Sequence, residues 1–130
     1  MSRRPSRHPT ELELEILKIL WRDGPGSVRE VREALADVRP LAHTSVMTVM
    51  NIMSEKGYVK RLKRGGVYVY RPRISKQATR RRMLRDLVRR VFDGSRVEAA
   101  INLLGSEHLD AEEIDEIRRF LDERAKGRAK

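Results

Sequence analysis

A chain of 130 residues with 29 Lys and Arg against 19 Asp and Glu, and so a net charge of +10, has room for one modest core plus an appended element, but not for two large domains. It contains no cysteine, which excludes a disulfide framework, a thiolate nucleophile and thiolate metal sites. No apolar run approaches the roughly 18 residues of a membrane span, and the basic start Met1 to Pro9 is not followed by a signal-peptide core, so a soluble, cytoplasmic protein is expected. The charge is unevenly placed. Residues 93–130 hold 7 basic and 10 acidic side chains, leaving +13 on the first 92, which points to a polyanion-binding N-terminal part and a C-terminal part with another task.

Residues 1–9 are polar, basic and interrupted by two prolines, the composition of a flexible arm or a frayed terminus. Thr10 opens a helix through the capping box Thr-Glu-Leu-Glu. Leu12, Ile16, Ile19 and Leu20 follow at helical spacing, and Leu14, Leu17 and Trp21 widen the apolar surface until the helix must be buried on most sides. Asp23-Gly24-Pro25-Gly26 ends it. Ser27 begins a second helix with another box, Ser-Val-Arg-Glu, and that helix presents Val28, Val31, Ala34 and Leu35 on one face.

After a turn over residues 37–41, the stretch from Leu41 to Gly57 reads as a third helix. At 100° per residue Val46, Val49, Met50 and Met53 share one side, and Thr44, Ser45, Thr48, Asn51 and Ile52 the other. Short hydroxyl and amide groups are either simply what the helix exposes, or they let its backbone approach a flat polar partner such as a DNA major groove. The flanks favour the second reading. Gly57 stops the helix, and Tyr58–Leu62 and Val67–Arg71 read as strands about a Lys63-Arg64-Gly65-Gly66 turn. Three helices followed by a basic-tipped hairpin are the order of a winged helix-turn-helix domain, here residues 10–74. His43, Thr44, Ser45, Thr48 and Asn51 are its candidate DNA-facing residues, and Lys63 and Arg64 its candidate phosphate anchors. The fold class expected is therefore mainly α with a small β-hairpin.

Residues 75–126 read as a helical dimerisation region. Ser75 caps a helix whose Leu84, Leu87, Val88 and Val91 form a seam among arginines; Ser95 caps a second that carries Ile101 and Leu104 and ends at Gly105; Asp110 begins a third with Ile114, Ile117, Phe120 and Leu121 on one face. Three linked amphipathic helices make no useful bundle in a monomer, whereas a homodimer doubles what they bury. Residues 127–130 are expected to be a disordered tail.

Three function classes compete for these features. A dimeric, sequence-specific DNA-binding repressor uses all of them. A non-specific architectural, nucleoid-type or RNA-binding protein would need only the positive charge, but aromatic residues for stacking are 5% of the chain. An enzyme has little support: His8, His43 and His108 have no metal-ligand spacing, and the acidic run Glu112, Glu113, Asp115 and Glu116 suits the start of a helix. No metal and no cofactor is implied.

The segments Leu12 to Trp21, Leu41 to Asn51, Glu55 to Val59 and Val67 to Pro72 closely resemble the BlaI/MecI family of penicillinase repressors. The resemblance covers nearly the whole chain and is most specific in the third helix. It implies an N-terminal winged helix, a C-terminal helical dimerisation region, and repression by a homodimer on a dyad-symmetric operator. It also implies control by a membrane-bound sensor protease of the BlaR/MecR type that cleaves the C-terminal region. By position Ser45 and Thr48 fall where the family places DNA-facing hydroxyls, while Ile52 stands where many members have arginine. The cleavable Asn-aromatic pair of the family falls at Asn102-Leu103, where this chain has leucine in place of the aromatic. The copper-responsive branch, which uses C-terminal cysteines, is excluded.

Overall fold

A computed structural model describes residues 8–128. Of the expected N-terminal arm, residues 1–7 lie outside that range and Pro9 is buried. The elements run α1 (Glu11–Asp23), α2 (Val28–Leu35), α3 (His43–Glu55), β1 (Val59–Arg64), β2 (Val67–Pro72), α4 (Lys76–Val91), α5 (Arg96–Ser106) and α6 (Ala111–Arg128). The fold is thus mainly helical with one antiparallel hairpin. The contacts divide the chain into two compact units within α4, the first ending at Leu84 and the second starting at Arg85.

The helix starts follow from local hydrogen bonding. The Thr10 hydroxyl accepts from the Glu13 N–H at 3.2 Å while the Thr10 N–H donates to the Glu13 carboxylate at 2.8 Å. Ser27 and Glu30 repeat the exchange at the start of α2, at 3.2 and 2.9 Å. Each box satisfies two backbone donors that a helix end would otherwise leave open. The backbone N–H of Ser27, and then its side chain, hold the Glu30 carboxyl below its ordinary range. Asp110 and Glu113 make the same reciprocal pair ahead of α6, and the hydroxyls of Ser75 and Ser95 cap α4 and α5 through the N–H groups of Ala78 and Glu98.

Two helix ends differ from expectation. Gly105 does not terminate α5, which runs to Ser106 and leaves the helix at Glu107 in an extended conformation. The Ser106 hydroxyl donates to the Leu103 carbonyl at 3.1 Å, so one of the open C-terminal acceptors is met without a left-handed glycine. Gly127 and Arg128 belong to α6 rather than to an unstructured tail, and residues 129 and 130 lie outside the described range.

The core sits entirely in the first unit. Ile16, Leu17 and Leu20 of α1 meet Val31 and Leu35 of α2, Val46, Met50 and Met53 of α3, and Tyr58, Val59 and Tyr70 around the hairpin. Trp21 packs at its edge and donates its indole N–H to the Ile74 carbonyl at 3.0 Å. Strands β1 and β2 pair from Val59 opposite Pro72 to Arg64 opposite Val67. The connection is therefore Gly65-Gly66 alone, not a four-residue turn, and Lys63 and Arg64 are strand residues. Both glycines have positive φ, 55° and 81°, the conformation that a two-residue hairpin with the twist of its strands requires. The segment between α1 and α2 adds a third rung, because Gly26 exchanges backbone hydrogen bonds with Tyr70 at 3.0 and 2.8 Å.

One buried ion pair ties the ends of this core together. Lys56, at the C-terminal end of α3, donates to both oxygens of Glu13 at 3.1 and 2.9 Å, with side-chain exposures of 13% and 3%. Glu13 thus serves the α1 capping box and the ion pair at once. Replacing Lys56 with Met leaves a buried carboxylate without its cation and is expected to destabilise the fold by about 3–5 kcal/mol, as for other broken buried pairs. Urea unfolding measures this. The double variant Lys56→Met, Glu13→Gln, which removes the stranded charge, should recover part of the loss.

Candidate nucleic-acid interface

The inner face of α3 is fixed by the core, so its outer face is fixed too. His43, Thr44, Ser45, Met47 and Thr48 are exposed, whereas Asn51 and Ile52 are half-buried. Ala42 precedes the helix without a side-chain cap, which leaves the first N–H groups of α3 open beside His43. The Thr48 hydroxyl donates to the Thr44 carbonyl at 2.8 Å. It can still accept a hydrogen bond from a partner, but it has spent its proton on its own helix.

Asn51 is held from the hairpin. Its side-chain carbonyl accepts from the Tyr70 hydroxyl at 2.8 Å and from the Arg61 guanidinium at 3.5 Å. The amide plane is thereby oriented, with the NH2 group directed away from these donors. A bidentate contact with adenine needs both the donor and the acceptor of an asparagine. With the acceptor engaged inside the protein, Asn51 has a donor to offer, and adenine selectivity at this position does not follow from its residue type.

The hairpin carries the positive charge. Lys63 and Arg64 are exposed at the end of β1, next to the glycine turn. The Arg61 guanidinium stacks over the Tyr68 ring at 4.4 Å from its centroid, with the Lys63 ammonium at 5.8 Å, contacts of the cation–π kind. Alternation along the strands puts Arg61 and Lys63 on the same face as their partners Tyr70 and Tyr68. A cleft of about 720 Å³ opens between the start of α2, the outer side of α3 and this hairpin face. Met47, Val67 and Tyr68 supply its exposed apolar surface, and Arg29, Glu30, His43, Asn51 and Arg61 are among its polar groups.

Several residues of this surface, Arg29, Met47, Arg61 and Tyr68 among them, stand outside the set predicted from sequence. Met47 lies one turn from both His43 and Asn51, a spacing legible on a helical wheel. Arg61 and Tyr68 needed the hairpin register, which depends on recognising a two-residue glycine turn.

On α4 the predicted seam is exposed in the single chain: Leu84, Leu87 and Val91 are 61%, 45% and 59% accessible, and Val88 is half-buried. Ile101 and Leu121 are exposed, and Leu104 and Ile117 half-buried. Asn102 and Leu103 lie within α5, where the Asn102 amide donates to the Glu98 carbonyl at 2.8 Å and Leu103 is exposed. Among the described residues no group of three His, Cys, Asp or Glu side chains could hold a metal ion, and no helix is long and apolar enough to cross a membrane.

Comparison with known proteins bears on the whole of this architecture. The chain is 33% identical over 115 residues to the transcriptional regulator BlaI of Mycobacterium tuberculosis, covering 87% of this chain and 82% of that protein. It is 26% identical over 114 residues to the penicillinase repressor of Bacillus licheniformis, covering 88% and 89%. A solved MarR family protein from Bacillus stearothermophilus is similar in fold, with a TM-score of 0.50 and 21% identity over 93% of this chain and 76% of that one. Since the penicillinase repressor family model matches residues 9–123, winged helix, hairpin and C-terminal helices alike, the chain belongs to the penicillinase repressor family, the BlaI/MecI group of DNA-binding transcription regulators.

Proposed function

We propose that this protein is a cytoplasmic homodimeric repressor that reads a dyad-symmetric DNA operator through α3 and anchors on phosphates through the hairpin. The observation that carries the reading is the outer face of α3: His43, Thr44, Ser45 and Thr48 stand exposed, without long side chains to hold a partner off, directly beside a hairpin bearing Arg61, Lys63 and Arg64. In this reading the hydroxyls of Thr44, Ser45 and Thr48 and the Asn51 NH2 group meet base edges, Met47 offers apolar contact to a thymine methyl, and Lys63, Arg64 and Arg61 meet phosphates. Residues 10–74 are the DNA-binding domain and residues 75–126 the dimerisation region, in which Leu84, Leu87, Val88, Val91, Ile101, Leu104, Ile117 and Leu121 bury one another across the two copies.

Release from DNA follows, in this proposal, from cleavage between Asn102 and Leu103 by a BlaR/MecR-type sensor protease. Both residues are helical in the single chain, so α5 must open locally before a protease can take the bond in extended form.

Genome-wide selection of DNA by the purified protein at near-physiological salt tests the reading. A single dyad-symmetric motif enriched over bulk duplex is the expected result. Enrichment without a motif would overturn operator recognition and leave a non-specific architectural protein.

A further inference from the structure

Helix α4 carries more positive charge than any local role in the chain uses. Between Lys76 and Val91 it holds seven basic residues and a single acid, Asp86. Asp86 is taken by Arg90 at 2.9 Å. Arg81, Arg85 and Arg89 recur every fourth residue, and so stand in one row about a third of a turn round the helix from Leu84, Leu87 and Val91. All three are exposed, and among the described residues none has an acidic partner. Like charges four residues apart destabilise a helix. An acid at any of these places would have stabilised it, as Asp86 does for Arg90. The segment after α4 cannot supply the missing counter-charge. Residues 93–130 carry a net −3, against +6 on α4 alone, and α6 sets Arg118, Arg119 and Arg124 among its own acids.

From this we infer that the Arg81–Arg85–Arg89 row is a second phosphate-binding surface, which engages duplex DNA in addition to the contacts of the winged domain. The inference rests on the DNA-binding reading above. The row extends about 12 Å at 1.5 Å per residue, the axial rise of about three to four phosphates on one strand of B-DNA. Guanidinium groups are the side chains best suited to phosphate oxygens in that arrangement. Because the contact is to backbone alone, it adds affinity and footprint without adding sequence preference.

The test compares the full-length protein with the triple variant Arg81→Gln, Arg85→Gln, Arg89→Gln, glutamine having nearly the helix propensity of arginine. Affinity for a random-sequence duplex of about 40 base pairs is measured by anisotropy across a salt series, beside the hairpin variant Lys63→Gln, Arg64→Gln. In a dimer the variant loses up to about six phosphate contacts, which lowers the slope of log K against log salt by up to about 5 and weakens binding about a hundredfold or more at 0.1 M salt. An unchanged slope in the triple variant with a reduced slope in the hairpin variant would overturn the α4 surface while leaving DNA binding intact. Unchanged slopes in both would overturn the DNA reading as well. A triple variant that sediments differently from the parent would show that the row meets a second copy of the chain instead, and that too would overturn the proposal.

Discussion

Raising monovalent salt from 50 to 200 mM should weaken operator binding by about 10³–10⁵, the range for a protein that neutralises six to ten phosphates. The number of contacts follows from where the exposed cations lie. Arg61, Lys63 and Arg64 lie on the hairpin, and Arg29 stands at the start of α2 across the cleft, so a dimer presents about eight groups to the backbone before α4 is considered. Arg29 is bridged to Glu33 at 3.2 Å, with both side chains well exposed. Such surface pairs contribute little and yield easily to a phosphate. A salt titration of affinity for the selected operator measures the slope. A flat response would refute the placement of these cations on DNA and, with it, the role of the hairpin.

The hairpin does more than carry charge, because it is wired into α3. Tyr70 is buried in the core, its backbone is bridged to Gly26, and its hydroxyl holds Asn51. One residue thereby links the segment before α2, the hairpin and the outer face of α3. If phosphates engage the hairpin as proposed, a displacement of it would pass through this hydrogen bond to the side-chain amide of Asn51. In the proposed reading, base-edge contacts of α3 and backbone contacts of the hairpin are coupled by this hydrogen bond rather than independent, and their mutational effects should not simply add.

Much of this fold is legible in the sequence because local signals carry it. Thr10 with Glu13, Ser27 with Glu30 and Asp110 with Glu113 are four-residue patterns whose hydrogen bonds need only the backbone that they help to form. The apolar face of α3 is likewise a matter of period, and Val46, Met50 and Met53 are buried as the wheel requires. What escaped the sequence is non-local. Lys56 finds Glu13 across 43 residues of chain and Tyr70 finds Asn51 across 19, and no spacing rule links either pair. Gly105 misled in the opposite direction, because glycine permits a left-handed helix end without compelling one. The outer face of α3 was readable as a set of small polar groups, but not the fact that Thr48 and Asn51 have already committed part of their hydrogen-bonding capacity within the protein.

Replacing Leu87 and Val91 together by Glu should convert the protein to monomers and lower its affinity for a full operator by about 10²–10⁴. The two side chains lie one turn apart, 45% and 59% exposed in the single chain, and they share a strip with Leu84 and Val88, none of the four belonging to the buried core cluster. Two carboxylates buried opposite their own copies would be both desolvated and mutually repelled. They remain well solvated in a monomer, so the free energy falls on association and spares the fold. The loss of affinity has a separate origin. In a dimer the second half-site is met at an effective concentration in the millimolar range, and a monomer forfeits that advantage without losing any contact of its own. Sedimentation and operator titration should therefore move together, while affinity for an isolated half-site stays as it was. A variant that remains dimeric would refute the seam. One that becomes monomeric yet binds the full operator unchanged would refute the idea that two copies of α3 read it together.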